Sequence, residues 1–165
     1  MQIGHVAVAC VIASFAPEIT GGRMDPFSPE ALIVAFVAHW LPNLDSIPIW
    51  LKWAKPSFHC TWSHSLIFAL AVSLLLLPFD VGWSLLALVS LLVHYAADLP
   101  STVGLPLLLP FTWKRFSVRL WADTGAGNWT SLKGTYQQSW TWILEGGAFV
   151  VLFVRAYQVG VWPFA

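Results

Sequence analysis

The chain has 165 residues, of which 58% are hydrophobic and only 10% charged, and its mean hydropathy is +0.70. This composition excludes an ordinary soluble domain. The formal net charge of +0 provides no electrostatic attraction for nucleic acid, so we expect no nucleic-acid partner. The length suits one compact unit, and we predict a single integral-membrane domain over residues 1–165.

Five apolar stretches predict an all-α fold, a polytopic membrane bundle of about five hydrophobic helices. They cover roughly residues 3 to 16, 31 to 41, 62 to 79, 82 to 97 and 141 to 161. Pro17 with Gly21-Gly22 is expected to end the first helix and Pro42 the second. Several stretches are shorter than the roughly 20 residues that span a bilayer.

The connection from residue 99 to residue 140 is too long to be structureless in a compact domain, so we predict interfacial helices or a functional lid there. Within it, Lys114, Arg115 and Arg119 alternate with apolar residues, which is typical of a segment lying in the membrane interface. We interpret these cations first as anchors for anionic lipid headgroups and second as groups that orient a substrate phosphate.

The charge distribution predicts the orientation of the bundle. If all five helices cross, the N-terminus and the loops after the second and fourth helices share one side. That side holds most of the basic residues: Lys52, Lys55, Lys114, Arg115, Arg119 and Lys133. The positive-inside rule therefore places it in the cytoplasm.

Histidines and carboxylates lie near the helix ends of this predicted cytoplasmic side. They are His5, His39, Asp45, His59, His64, His94, Asp98 and Glu145. Ionisable groups are costly near membrane depth and are usually functional there. We therefore expect these side chains to converge at one membrane face.

The spacing of His94 and Asp98 indicates a cation site, because residues four apart share one helix face. A cation would also stabilise Asp98, whose charge is disfavoured by the helix C-terminus and by desolvation. Imidazole nitrogens with carboxylate oxygens suit divalent ions, zinc or manganese, and the set is able to neutralise one or two of them. Two close ions would polarise a phosphoryl or acyl group and acidify water, which is hydrolase chemistry.

Three motifs stand out in this set. They are Pro42-Asn43-Leu44-Asp45, His59-Cys60-Thr61-Trp62-Ser63-His64-Ser65-Leu66 and His94-x-x-x-Asp98. Together they resemble a bacterial inner-membrane family of metal-dependent hydrolases, related to the LexA-binding inner-membrane protein. The resemblance covers most of the chain, from His5 to the fourth helix and on to Glu145.

The resemblance implies a multi-pass protein of the inner (plasma) membrane with a divalent-metal site. The implied ligands are His5, Asp45, His59, His64, His94 and Asp98. Two departures from the family pattern concern this site. Asn43 stands where the family has the first aspartate of Pro-Asp-x-Asp, and Cys60-Thr61 replaces an Arg-Gly pair.

Several of these residues have plainer interpretations that the sequence leaves open. His39, beside Trp40, is either an additional ligand or an interfacial anchor, and Asp45 is either a ligand or a turn cap. Glu145 either accepts a proton or pairs with a basic loop residue. Cys60 is interpreted as a small packing residue.

The sequence thus predicts a metal-dependent hydrolase of an ester or phosphoester, with membrane lipid as partner and a lipid as one candidate substrate. Glu145 or Asp45 is expected to accept a proton from water during catalysis. The alternative is a non-catalytic membrane protein, a metal sensor or a scaffold whose polar residues hold the helices together.

Overall fold

The computed structural model describes residues 2–55, 58–120 and 139–161, and the regular elements there are all helices. The α-helices are α1 (Gln2–Ser14), α2 (Ala16–Thr20), α3 (Pro29–Trp40), α4 (Ser46–Trp50), α5 (Leu66–Leu76), α6 (Val81–Asp98) and α7 (Ser139–Gln158). Two short 3-10 helices, Leu41–Asp45 and Trp62–His64, complete the set. The predicted all-α fold is confirmed.

Prolines act differently from the prediction at two places. Pro17 does not end a helix but lies in the first turn of α2, where its missing N–H costs nothing. Gly21, left-handed at φ 66°, ends α2 instead. Pro42 does follow the end of α3, yet the 3-10 turn that contains it leads directly into α4. The helical run therefore continues to Trp50.

Alanines spaced four residues apart allow the central helices to pack closely. The stripes are Ala31, Ala35 and His39 on α3, and His5, Ala9 and Ala13 on α1. The alanines are all buried, and small side chains let helix backbones approach each other. Each stripe has a histidine at the same end of the bundle, so the packing that forms the core also turns these two histidines inward.

Helix α6 is the centre of the bundle and contacts α1, α2, α3 and α5. Its buried face includes Ala87, Leu91 and His94. At the opposite end from His94, the hydroxyls of Ser73 and Ser84 are 2.8 Å apart and close the turn between α5 and α6. Such interhelical hydrogen bonds satisfy polar groups that an apolar environment would leave unpaired.

Two helical runs among the described residues are long and apolar enough to cross a membrane: Pro29–Trp50 and Val81–Asp98. Helices α1 and α5 have 13 and 11 residues. At 1.5 Å per residue they reach only about 20 and 17 Å, against a hydrocarbon core of about 30 Å. Length and apolarity together therefore support two crossings among the described residues, and the five-crossing arrangement is not confirmed.

The segment 99–120 contains no helix, so the predicted interfacial helices are not found in that part of the connection. Leu105 and Phe116 instead form an isolated antiparallel bridge. Gly104 is required before it, because φ is 69° and a Cβ would lie 2.8 Å from the Phe116 carbonyl oxygen. Buried Leu105 and Leu109 attach the segment to the bundle. Residues 121–138 of the connection lie outside the described residues.

Helix α7 runs parallel to α1 and is held at the end of the bundle opposite the histidines. Arg155 Nη2 donates to the Ser14 carbonyl at 2.8 Å and to Glu18 Oε1 at 2.7 Å. The guanidinium carbon also lies 4.0 Å from the centre of the Phe15 ring. This charged contact fixes the register between α7 and α1.

We expect Arg155→Ala to destabilise the protein by about 2 kcal/mol, since a buried carbonyl loses a charge-assisted hydrogen bond. Glu18→Gln is the control, and it should lower stability less because Glu18 is 53% exposed in its side chain. Thermal unfolding in detergent measures both variants. Equal losses would contradict the dominant role of the Ser14 carbonyl.

Candidate metal centre

Four histidine rings meet at one end of the bundle, where α1 begins and α3 and α6 end. The ring centres of His5 lie 5.0 Å from those of His39 and His94, and His64 lies 5.4 Å from His94. His39, His64 and His94 are completely buried. The structure thus brings together side chains that are up to 89 positions apart in the chain (94 − 5 = 89).

Two ring nitrogens and one carboxylate oxygen of this cluster face one another at the spacing of metal ligands. His64 Nε2 and His94 Nε2 are 3.4 Å apart, and Asp98 Oδ2 lies 3.1 Å from the second and 3.5 Å from the first. Two ligands bound to tetrahedral zinc at about 2.05 Å stand about 3.3 Å apart. The triangle of ligand atoms therefore fits one small divalent ion.

Hydrogen bonds orient the neighbouring rings in the way that metal ligation requires. His39 Nδ1 donates to the Ser90 carbonyl at 3.1 Å, which leaves the lone pair on Nε2, 3.0 Å from His5 Nδ1. His64 Nδ1 is 3.0 Å from Ser63 Oγ, which donates to Asp45 Oδ2. Ligating histidines usually donate the second ring N–H to such an acceptor.

The atoms of the cluster that could bind a metal fall into two groups. His5, His39 and His94 form one group and Cys60, His64 and Asp98 the other, and within each group the donor atoms lie within 4.8 Å of one another. His94 Nδ1 is buried without a hydrogen-bond partner among the described residues. Since buried ring nitrogens are normally paired, this atom also fits the coordination of an ion. His39 belongs to this first group, and its role as an additional ligand stays a prediction.

Asp45 accepts the hydrogen bonds that organise the segment carrying His59 and His64. Its Oδ1 accepts from His59 Nδ1 at 2.7 Å, and its Oδ2 accepts from the Cys60 N–H at 2.8 Å and the Ser63 hydroxyl at 3.0 Å. With these contacts the carboxylate is buried and saturated. Asp45 and His59 both lie beside the two groups of possible ligands. That either residue binds a metal ion directly stays a prediction.

The charge of Asp45 also sets the protonation of its neighbour. Burial disfavours a charged His59 ring, but the hydrogen bond to the carboxylate outweighs burial and raises the pKa of His59 to about 10. The same bond would orient the ring if Nε2 were bound to a metal. Asp45 and His59 thus form a carboxylate–histidine pair like those that accompany metal sites.

Cys60 packs in the core with Ala69, Leu91 and Tyr95, as its interpretation as a packing residue predicts, and its sulfur also joins a group of possible ligands with His64 and Asp98. Burial would raise the pKa of the thiol, but hydrogen bonding from His59 and His64 lowers it below its ordinary value. Tyr95 was also missed: its hydroxyl donates to the carbonyls of Ser63 at 2.8 Å and Ser65 at 3.2 Å and holds this segment on α6. Its position directly after His94 was the available signal.

Glu145 of α7 is 5% exposed and lies against the start of α1. A Cβ at Gly4 would meet Glu145 Cγ at 2.6 Å and Oε1 at 2.9 Å, so the carboxylate occupies the space that this glycine leaves. Gly4 immediately precedes His5. The sequence indicated Glu145 as a site residue but provided no reason to select Gly4.

The three cations of the segment 99–120 are all exposed. Lys114 Nζ lies 5.6 Å from the centre of the Phe116 ring, and Arg115 Nη1 donates to the Gly104 carbonyl at 3.2 Å. Arg119 adopts a left-handed conformation at φ 56°. Phe111, 87% exposed, and Trp113 flank these charges. Their role as headgroup or phosphate contacts stays a prediction.

The fold and the site define a helical membrane protein with a cluster of buried side chains that could bind a metal ion at one end of the bundle. The sequence profile of the YdjM inner membrane protein family matches residues 1–162, and the chain belongs to this family. The predicted bacterial inner-membrane family and membrane location are thereby confirmed. Comparisons with curated proteins and with solved structures return no match.

We expect Gly4→Ala to destabilise the protein by about 1–3 kcal/mol, because the new methyl group must displace the Glu145 carboxylate. The matched control is Gly146→Ala on α7, where a Cβ meets nothing within 4 Å. This control should be neutral or stabilising by up to about 1 kcal/mol, since alanine favours a helix. Thermal unfolding in detergent compares them, and equal stability of the two variants would refute the close contact.

Proposed function

We propose that the protein is a membrane-embedded, divalent-metal-dependent hydrolase that cleaves an ester or a phosphoester. The single observation that carries the proposal is the triangle of His64 Nε2, His94 Nε2 and Asp98 Oδ2, with edges of 3.1–3.5 Å. A proton on a ring nitrogen can hold these atoms together by hydrogen bonding, and a divalent ion bound at the same place would hold them as a ligand set.

The residues that would hold the metal are those of the two donor groups. They are His5, His39 and His94 in the first, and Cys60, His64 and Asp98 in the second. A bound divalent ion would polarise the scissile group and acidify water. The two groups have room for one or two ions, of which zinc or manganese suit the nitrogen and oxygen donors.

The remaining polar residues would position the ligands and handle protons. Asp45 holds His59 directly and His64 through Ser63, so we assign it the role of a positioning residue. Glu145 is the candidate proton acceptor, because it is a carboxylate buried beside the residue that precedes His5. The Asp98 side chain, 27% exposed, marks the side from which water and substrate would enter.

The substrate we propose is a lipid ester or phosphoester, reached from the membrane interface. The exposed segment 99–120 supports this choice, since it presents Phe111, Trp113 and Val118 together with three cations. Aromatic and basic residues in this combination are typical of contact with anionic headgroups. We place this end of a five-crossing, single-domain bundle at the cytoplasmic face, following the excess of basic residues there.

One observation favours a non-catalytic role as the second candidate. His39 and His94 are completely buried, and structural or sensory metal sites are closed whereas catalytic sites keep an open position. A sensor or scaffold would retain metal and show no hydrolysis. Turnover of an ester or phosphoester separates the two roles.

We expect His64→Ala and Asp98→Ala to remove bound metal, because each variant lacks one of the three proposed ligand side chains. Metal analysis of detergent-purified protein should find about one or more equivalents in the wild type. It should find a large loss in both variants. Asp25→Ala, an exposed aspartate outside the cluster, is the control and should keep its metal.

The same proteins then test catalysis. Phospholipids and small phosphoesters are offered with added zinc or manganese, and hydrolysis should follow the retained metal across the variants. Unchanged metal content in both site variants would overturn the assignment of the site. Full metal content without hydrolysis of any ester would leave the sensor or scaffold role in its place.

A further inference from the structure

We infer that the Cys60 thiolate is a ligand of the ion held by His64 and Asp98, which makes the site selective for zinc over manganese. This inference rests on the metal site of the proposed function and adds a ligand that the sequence interpretation had assigned to packing. The described residues contain two free cysteines. Cys10 lies within α1, and the inference concerns Cys60 alone.

The position of the sulfur carries the inference. Cys60 is 5% exposed, and its Sγ lies within 4.8 Å of a donor atom of His64 and of Asp98. Independently, His64 and Asp98 belong to the triangle of acceptor atoms completed by His94. The sulfur therefore adds a further donor to a set that already has the spacing of metal ligands.

The backbone keeps Cys60 in this place. Its φ of 54° is a left-handed conformation that residues with a side chain rarely adopt. The Cys60 N–H donates to Asp45 Oδ2 at 2.8 Å, which stabilises the otherwise unfavourable turn.

The charges of the proposed ligand set also balance. Two anionic groups, the Cys60 thiolate and the Asp98 carboxylate, neutralise one divalent cation, while His64 and His94 bind as neutral rings. A site without net charge avoids the large cost of burying an isolated charge. Thiolate is a soft ligand that suits zinc, whereas manganese prefers carboxylate and water oxygens.

Cobalt substitution of the full-length protein tests the ligand directly, because thiolate bound to cobalt(II) produces a charge-transfer band in the near ultraviolet. We expect this band in the wild type and in Cys10→Ser, the matched control, and its complete loss in Cys60→Ser. Cobalt content is measured in each sample. In the wild type, competition between zinc and manganese should leave zinc bound.

The spectrum of Cys10→Ser, in which Cys60 is the remaining cysteine, decides the question if Cys60→Ser fails to fold. Bound cobalt without the charge-transfer band would overturn the thiolate ligand and leave the metal site of the proposed function intact. A band that persists in folded Cys60→Ser would also overturn it. Wild-type protein that binds neither cobalt nor zinc would remove the metal site itself, and the thiolate ligand with it.

Discussion

The convergence of the side chains of His64, His94 and Asp98 at one end of the bundle is the constraint on which the rest of the structure depends. Their nearest nitrogen and oxygen atoms stand 3.1–3.5 Å apart. Hydrogen bonding between an imidazole N–H and the carboxylate stabilises this arrangement without a metal. The same spacing suits a set of metal ligands, so the packing that brings the three side chains together also creates a candidate metal site.

The rest of the bundle positions this set. Alanine stripes on α1 and α3 let the helices approach each other and turn His5 and His39 toward His94. Asp45 organises the turn that follows, because one carboxylate accepts hydrogen bonds from a ring, a backbone N–H and a hydroxyl. The Tyr95 hydroxyl attaches the same turn to α6. Close packing and saturated hydrogen bonding together give the site its rigidity.

The membrane setting gives the site its chemical character. A low-dielectric environment penalises any net charge, so the proposed balance of thiolate and carboxylate against a divalent ion would matter more here than at a protein surface. The exposed aromatic and basic side chains of segment 99–120 lie on the chain between the site's α6 and α7. A substrate that carries both an apolar and an anionic part suits these surroundings.

Much of the fold was predictable because it depends on local pattern. Apolar stretches, proline and glycine positions and four-residue spacing predict helices and place His94 and Asp98 on one face. The segment 99–120 was not predictable as an irregular loop, since its bridge between Leu105 and Phe116 depends on a contact across eleven residues (116 − 105 = 11). Short helices were visible as apolar runs below bilayer length, but the structure shortens the third run further, from the predicted residues 62 to 79 to Leu66–Leu76.

The sequence by itself determined the helical class, the membrane composition and the types of ligand, because hydrophobicity, helical period and side-chain chemistry are properties of single residues and near neighbours. Only the tertiary structure decided which donors share a site. Pairings such as Cys60 with Asp98, Asp45 with His59, and Gly4 with Glu145 arise from the mutual packing of distant segments. Packing is a property of the whole chain, and no local pattern contains it.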